Sequence, residues 1–438
     1  MKRKIMNWLL QWKESFKRKP LILQGARQVG KTYSVLTFGK KYYDSVAYFN
    51  FENNKELIKI FDRDLDPERI VRELSINCGK SIFKEKTLIF FDEIQACERA
   101  LTSLKYFNEQ CNEYHIIAAG SLLGVAINRE QYSFPVGKVD IKTLYPLDFE
   151  EFLMAMKEGE LINLIKESFS NNIELSMHNK AMDLYRIYLV VGGMPAVVQE
   201  YIEKRDFDFV LATQKNINDS YIADMAKYAT PYETTRIMAA FNSIPAQLAK
   251  ENKKFQYKVI KSGARAHEYE TPVEWLKSSG VILKCIKCNE GKLPLSAYSD
   301  FNSFKIYMTD TGLLCSKFGI PANAVISESI IFNDFKGALT ENYVCFALNA
   351  NEHIPYYWES KGCAEVDFII QDKEGNIIPI EVKAAEHVRA KSLKQYIKKY
   401  NPPYAIRVSA KNFGFENGII STTLCNIFNI RRKNVIIS

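Results

Sequence analysis

Eight residues constrain this chain more than any others: Gly25-Ala26-Arg27-Gln28-Val29-Gly30-Lys31-Thr32, directly after the apolar run Leu21-Ile22-Leu23. They fit the pattern G-x-x-x-x-G-K-[ST] at a point where a strand should give way to a helix, which marks a phosphate-binding loop. Glycines at both ends let successive backbone N–H groups curl around a β-phosphate, Lys31 reaches the β/γ oxygens, and the Thr32 hydroxyl is placed to hold Mg²⁺. A plain glycine turn before an ordinary helix would share part of this pattern. A second signal weighs against that reading: Thr87-Leu88-Ile89-Phe90-Phe91-Asp92-Glu93, an apolar run ending in two carboxylates, which reads as a buried central strand. Asp92 is expected to bind Mg²⁺ through its water shell, and Glu93 to orient and deprotonate the water that attacks a γ-phosphate. ATP and Mg²⁺ are therefore the expected ligands of Gly25 to Thr32 and Asp92.

A third apolar run, His115-Ile116-Ile117-Ala118-Ala119, ends in Gly120-Ser121. Ser121 is a candidate to touch the γ-phosphate or the attacking water, and equally a candidate helix cap. The succession of strand, loop, helix, carboxylate strand and polar-tipped strand resembles an AAA+-type P-loop ATPase over residues 1 to about 165.

At 438 residues the chain exceeds one compact core and suggests two to four domains. Its hydrophobic share of 47% and charged share of 25% are ordinary for a globular protein, and no apolar run reaches the length of a membrane helix. The start, Met1-Lys2-Arg3-Lys4-Ile5-Met6-Asn7-Trp8-Leu9-Leu10, is basic but lacks the apolar stretch and small-residue cleavage site of a secretory signal. Nine scattered cysteines read as free thiols, and the cytoplasm is the expected location. Cys285 and Cys288 are the one close pair. Without a partner pair or histidines at ligand spacing, they read as residues of a β-hairpin strand rather than a zinc site.

No internal repeat or low-complexity tract is evident, and the domain reading is 1–165 ATPase, 166–235 helical lid or connector, 236–300 winged-helix-like, and 301–438 the last domain. Leu144-Tyr145-Pro146-Leu147-Asp148-Phe149-Glu150-Glu151 reads as a last strand feeding an acidic, Pro-started helix. Val190-Val191-Gly192-Gly193-Met194-Pro195 is a sharp break suited either to a lid turning near a nucleotide or to a plain interhelix turn. From Arg236 to Tyr298, helix, helix and strand pair follow a winged-helix pattern, with Thr271 expected as N-cap and Pro272 at the first helical position. Lys250, Lys253, Lys254, Lys258, Lys261 and Arg265 make this stretch a candidate DNA-contacting surface, although such modules also bind proteins.

The net charge is +8, and residues 384–438 carry all of it: Arg389, Lys391, Lys394, Lys398, Lys399, Arg407, Lys411, Arg431, Arg432 and Lys433 against Glu386 and Glu416. Such a tail suits a phosphate backbone, whose neutralisation releases counterions, and also a solvated helix face.

Near that tail lies a second constellation. Glu341 falls in Leu339-Thr340-Glu341-Asn342-Tyr343-Val344, and Asp367 opens the apolar run Asp367-Phe368-Ile369-Ile370. Asp372-Lys373-Glu374-Gly375-Asn376 makes a turn, and the returning strand holds Glu381 and Lys383 two apart, on one face. Three carboxylates, Glu341, Asp367 and Glu381, are expected to hold one or two Mg²⁺ ions, with Lys383 activating water or steadying developing charge. A half-buried hairpin with polar edges is the bland alternative. It would have to bury acid and lysine without a compensating partner. Asp367 and the Glu381-x-Lys383 pair resemble the PD-(D/E)XK nuclease motif. Tyr307-Met308-Thr309-Asp310-Thr311-Gly312 leads into this domain in a structural role.

Over its full length the chain resembles a prokaryotic family of AAA+-type ATPases with a helical and winged-helix middle and a C-terminal restriction-endonuclease-like domain. The resemblance implies an α/β fold with a P-loop NTPase parallel sheet, and a trans-acting arginine finger after the polar-tipped strand. Here Lys138 stands where relatives often have Arg, and Arg129 is the substitute candidate. Ring-forming relatives make a homo-oligomer an expectation, and DNA is the expected macromolecular partner. Two functions fit: an ATPase whose nucleotide state controls a metal-dependent nuclease-like domain, or a nucleotide-operated switch whose C-terminal domain binds DNA or protein without cutting.

Overall fold

The computed structural model describes residues 1–121, 134–250, 253–360, 364–384 and 391–432, with backbone alone for 330–334. The chain divides into two compact units, Lys2–Tyr145 with Ser278–Gly280, and the remaining residues.

In the first unit, β1 (Leu21–Gln24), β2 (Ser45–Asn50), β3 (Thr87–Asp92), β4 (His115–Gly120) and β5 (Asp140–Thr143) form one sheet in the order β2-β3-β4-β1-β5. Every pairing is parallel. All six residues of β3 and all six of β4 are buried, as a parallel sheet covered on both faces requires. Helix α1 (Ile5–Glu14) precedes β1, and between the strands run α2 (Lys31–Tyr42), α3 (Glu56–Asp62), α4 (Pro67–Cys78) and α5 (Glu98–Gln110). Local chemistry sets their ends. Asp66 caps α4 by accepting from Arg69 N–H, Pro67 occupies its first turn, and Gly79 leaves it at φ 66°. On one side of the sheet Phe51, Phe61 and Phe91 meet with ring centroids 5.6–5.9 Å apart, within a core that also takes Ile70, Leu74, Leu101 and Phe107.

The second unit begins with helices Phe149–Ala155, Gly159–Asn171, His178–Val191, Pro195–Lys204, Phe207–Tyr228 and Pro231–Leu248. Its sheet has eight strands: β6 (Ile282–Cys288), β7 (Ser299–Met308), β8 (Tyr356–Ser360), β9 (Ala364–Gln371), β10 (Ile377–Lys383), β11 (Ala405–Ser409), β12 (Gly414–Glu416) and β13 (Ile419–Thr423). They lie in the order β12-β13-β11-β10-β9-β8-β6-β7. The sheet is mixed: β9 and β10 are antiparallel, whereas β10 pairs with β11 in parallel.

Several expectations need correction. The boundaries after residues 165, 235 and 300 fall inside helix Gly159–Asn171, helix Pro231–Leu248 and β7. The compact units part instead at Tyr145 and Pro146, and again on either side of Ser278–Gly280. The strand pair of the 236–300 segment is not a free wing, since β6 also pairs in parallel with β8. Cys285 and Cys288 lie on β6, and the register shift between Ile286 and Lys287 lets both turn inward. Helix Ala266–Ser278 starts before Thr271 and carries Pro272 inside it. The ring removes the N–H that would serve Glu268 C=O, and Arg236 Nη1 donates to that carbonyl at 3.3 Å instead. The helix after Pro146 is capped by Asp148 in a capping box with Glu151, rather than started by the proline.

The Gly192-Gly193 break is an interhelix turn pinned by Asp310. Asp310 Oδ2 accepts from Gly193 N–H at 2.7 Å, and Oδ1 caps helix Thr311–Phe318 through Leu313 N–H at 2.8 Å. Only glycine fits there, because a Cβ on Gly193 would lie 1.9 Å from Leu147 O.

Candidate nucleotide-binding site and a second carboxylate–lysine cluster

The phosphate-binding loop spans the gap between β1 and α2. Gly25 and Gly30 take φ of 147° and 91°, and Gln28 also sits at positive φ, so three of eight residues hold a backbone that suits glycine. A side chain on Gly25 would strike Leu144 O. Ala26 and Val29 are buried, while Arg27 and Gln28 are exposed. Gly30 is the N-cap of α2 and supplies no side-chain acceptor to its first N–H groups, which suits a phosphate at that end. The Lys31 ammonium donates to Gly25 O and Ala26 O, both at 2.8 Å. Arg3, absent from any motif, braces the loop by donating to Val29 O at 2.9 Å and Tyr145 O at 2.7 Å.

β4 lies between β1 and β3, so the tips of the loop strand, the polar-tipped strand and the carboxylate strand are neighbours. Thr32 Oγ1 donates to Asp92 Oδ2 at 2.9 Å. A hydroxyl and a buried carboxylate facing each other are the hard oxygen donors that Mg²⁺ takes, with water completing its shell. Tyr48 OH donates to the same Asp92 oxygen at 3.0 Å. Glu93 stands at φ 51°, and Gln95 Nε2 donates to its Oε2 at 2.5 Å. Sequence reasoning missed Arg3, Tyr48 and Gln95. Only the adjacency of Gln95 to the Asp92-Glu93 pair was a usable signal. Ser121 is buried just past the end of β4, where register sets Gly120 beside Gln24. Lys138 Nζ lies 2.9 Å from Glu109, which occupies it as an ion-pair partner within the unit. Arg129 lies outside the described residues.

In the other unit, β9 and β10 form the expected hairpin. Asp372 closes its turn through Asn376 N–H at 2.8 Å, with Gly375 at φ 89°. The register sets Phe368 opposite Ile380, so Asp367 and Glu381 are neighbours. Asp367 Oδ2 accepts from Val382 N–H at 2.7 Å. Burial, aided by the nearby Glu341 charge, pushes Asp367 up to about 6. Glu381 Oε1 lies 3.0 Å from Lys383 Nζ. Burial works against the charged form of Lys383, but Asp367 and Glu381 together raise its pKa.

Glu341 is engaged elsewhere. Its Oε1 accepts from Lys305 Nζ at 3.0 Å and from Tyr307 OH, and its Oε2 from Lys253 Nζ. Burial opposes its charge, yet the Lys253 and Lys305 ammonium groups hold its carboxyl well below the ordinary range. Among the described residues no three His, Cys, Asp or Glu side chains converge on a position fit for one metal ion. The expected three-carboxylate metal set of Glu341, Asp367 and Glu381 is therefore not assembled, because two lysines and a tyrosine hold Glu341. The cations expected on a DNA-facing surface divide similarly. Lys253 and Lys254 pair with Glu341 and Glu359, and Lys250 donates to Gln256, whereas Lys258, Lys261 and Arg265 are exposed. In the tail, Lys391, Lys394 and Lys398 are exposed, Arg431 pairs with Glu150 at 2.9 Å, and Arg389 and Lys433 lie outside the described residues.

Comparison with known proteins assigns three stretches. Residues 182–324 and 336–427 match two separate domains of unknown function, DUF8612 and DUF4143. No curated protein matches the chain. Among solved structures, a Walker-type ATPase of Pyrococcus abyssi is similar at 16% identity and a TM-score of 0.45, covering 72% of this chain and 95% of that one. The RuvB Holliday junction branch migration motor of Thermotoga maritima is similar at 13% identity and 0.31, covering 73% and 96%. The ORC1 protein of Aeropyrum pernix, solved with DNA, is similar at 12% and 0.28, covering 74% and 91%. Overall likeness at these scores decides nothing about activity, and the assignment rests on sequence and local geometry. Residues 17–153 match the AAA domain family, and with the loop and the parallel strand order described above they form a P-loop ATPase domain.

Proposed function

We propose that this chain binds and hydrolyses ATP with Mg²⁺ in the Lys2–Tyr145 unit. The observation that carries this reading is the 2.9 Å contact of Thr32 Oγ1 with Asp92 Oδ2, with Glu93 the next residue along. Bound Mg²⁺ would neutralise phosphate charge as a Lewis acid, held by Thr32 and Asp92. Lys31 exchanges its two loop carbonyls for phosphate oxygens, Glu93 takes a proton from the attacking water, and Ser121 orients that water or the γ-phosphate. ATP turnover by wild type, Lys31→Ala and Glu93→Gln tests the reading. Glu93→Gln should lose at least about 100-fold in kcat while still binding ATP, because a general base contributes about 10²–10⁴. Lys31→Ala should lose both binding and turnover. Undiminished turnover in either variant would overturn these assignments.

The C-terminal reading is a metal-dependent, nuclease-like, nucleic-acid-binding domain under nucleotide control, with Asp367, Glu381 and Lys383 as its working residues. It is supported by the cross-strand pairing of Asp367 beside Glu381 and by the Lys383 ammonium 3.0 Å from Glu381 Oε1. Exposed Lys258, Lys261, Arg265, Lys391, Lys394 and Lys398 suit DNA in the segment proposed as a winged helix and in the basic tail. A second reading, a nucleotide-operated switch that binds without cutting, is favoured by the ion pairs that occupy Glu341. Cleavage of single- and double-stranded DNA with Mg²⁺ or Mn²⁺, with and without ATP, separates them. Cutting that vanishes in Asp367→Ala supports the nuclease, its loss in Lys31→Ala shows nucleotide control, and ATP turnover with no cutting supports the switch. Among the described residues no helix is long and apolar enough to cross a membrane, and we place the protein in the cytoplasm.

A further inference from the structure

Tyr48 lies on β2, an edge strand of the parallel sheet. Its register partner on β3 is Phe90, and Asn50 stands opposite Asp92, so these four residues share one face. A long side chain at the Phe90 rung can reach the diagonal neighbour two positions along the facing strand. Tyr48 does so. Its ring lies 5.4 Å from that of Phe90, and its hydroxyl donates to Asp92 Oδ2 at 3.0 Å. Tyr48 is 41% exposed and Asp92 is 4% exposed, so an exposed side chain turns its polar end onto a buried carboxylate. The phenol is itself held. Asn50 Oδ1 accepts from Glu52 N–H and Asn53 N–H at 3.0 and 2.9 Å, which directs Asn50 Nδ2 to Tyr48 OH at 3.3 Å. Asn50, Tyr48 and Asp92 thus form a chain running from donor to acceptor, in which each bond polarises the next. Asp92 also accepts from Thr32 Oγ1 on Oδ2 at 2.9 Å and from Glu93 N–H on Oδ1 at 3.2 Å. Thr32 must also serve Mg²⁺ on the reading proposed above. Tyr48 O–H and Glu93 N–H are left to fix the carboxylate, one on each oxygen.

We infer that Tyr48 is a positioning residue for Mg²⁺: its hydroxyl fixes the orientation of Asp92 and thereby sets the affinity of the nucleotide site for the metal. The inference rests on the Thr32–Asp92 reading proposed above. Packing against Phe90 would be met equally by phenylalanine, so the hydroxyl is the part of the side chain that the ring contact leaves unexplained. A group that orients a metal-binding side chain without binding the metal typically changes metal affinity by about 10–100-fold when it is removed.

The test is binding of the imido analogue of ATP, which resists hydrolysis, to the full chain, first in EDTA and then across a series of free Mg²⁺ concentrations. Tyr48→Phe should need at least about tenfold more free Mg²⁺ than wild type for the half-maximal gain in affinity, with affinity in EDTA within about twofold of wild type. In an Asp92→Asn background the same substitution should change nothing further, because the hydroxyl acts through that carboxylate. Turnover of ATP supplies a second readout, in which Tyr48→Phe should raise the KM for Mg²⁺ and recover the wild-type kcat at saturating metal. Circular dichroism checks each fold. An unchanged Mg²⁺ requirement in Tyr48→Phe would overturn the inference and leave the Thr32–Asp92 site standing. An equal loss of affinity in EDTA, or the same effect in the Asp92→Asn background, would show a general disturbance of the unit and overturn it as well. Wild type whose affinity does not depend on Mg²⁺ would remove the metal reading itself, and this inference with it.

Discussion

Glu93 holds a left-handed backbone at φ 51°, a conformation costing a non-glycine residue about 1–2 kcal/mol. The turn Ile94–Ala96 follows immediately, and Gln95 fixes the carboxylate. Strain of this kind is kept where geometry matters more than stability. Asp92 and Glu93 were legible because apolar residues followed by acids at a strand end form a contiguous pattern. Arg3 and Tyr48 were not, because their partners, Val29, Tyr145 and Asp92, are distant in sequence. His115 gives a residue-scale prediction. Burial, with help from the Arg18 and Lys13 charges, lowers its pKa to about 3, and its Nδ1 meets Tyr43 OH at 2.7 Å. The folded value lies below the ordinary 6.5, so the neutral form is favoured. Its contribution is complete above about 6.5 and is lost as pH falls toward 3, by up to ~1.4 kcal/mol per pH unit. Urea midpoints from pH 7 to 4.5 should fall less steeply in His115→Phe than in wild type. His353, lowered to about 4 by burial, adds a slope of the same sign in both proteins, which the comparison cancels.

At the scale of elements, Asp310 joins a helix cap to the Gly192-Gly193 turn. Burial pushes its carboxyl up to about 6 despite four backbone N–H donors, from Leu313, Gly193, Gly312 and Met194. Asp310→Ala leaves those donors without their acceptor in a buried turn, at a cost of about 1–3 kcal/mol for a single orphaned group. A loss of about 2–4 kcal/mol in chemical denaturation is expected, and a change within 0.5 kcal/mol would show that the turn does not depend on it. The segment containing Asp310 was legible as structural, and Gly192-Gly193 as a break that suited either a lid or a plain interhelix turn. Their meeting was not, since 117 residues separate the hydrogen-bonded pair. The start of helix Ala266–Ser278 was misplaced for a related reason. Proline at 272 reads locally as a helix start, and the Arg236 donor that relieves Glu268 C=O comes from another helix.

At the scale of the whole molecule, the chain consists of two compact units, and ligand linkage should act on the one that binds nucleotide. An ATP analogue that resists hydrolysis, supplied with Mg²⁺ at about 100 times its Kd, should stabilise that unit by ~2.7 kcal/mol. Calorimetry should show the corresponding transition moving upward, and Asp92→Asn should lose most of the movement. An unmoved transition in wild type would count against the Thr32–Asp92 locus. The sequence by itself determined the phosphate-binding loop, the carboxylate strand and the Asp367–Lys383 hairpin, because glycine placement, strand period and turn chemistry act over a few neighbouring residues. Only the tertiary structure decided that β4 lies between β1 and β3, that β6 and β7 join the eight-stranded sheet, and that Lys253 rather than a third carboxylate faces Glu341. Those outcomes depend on long-range strand pairing and buried charge compensation. Their free energies are summed over elements far apart in the chain and leave no local signature.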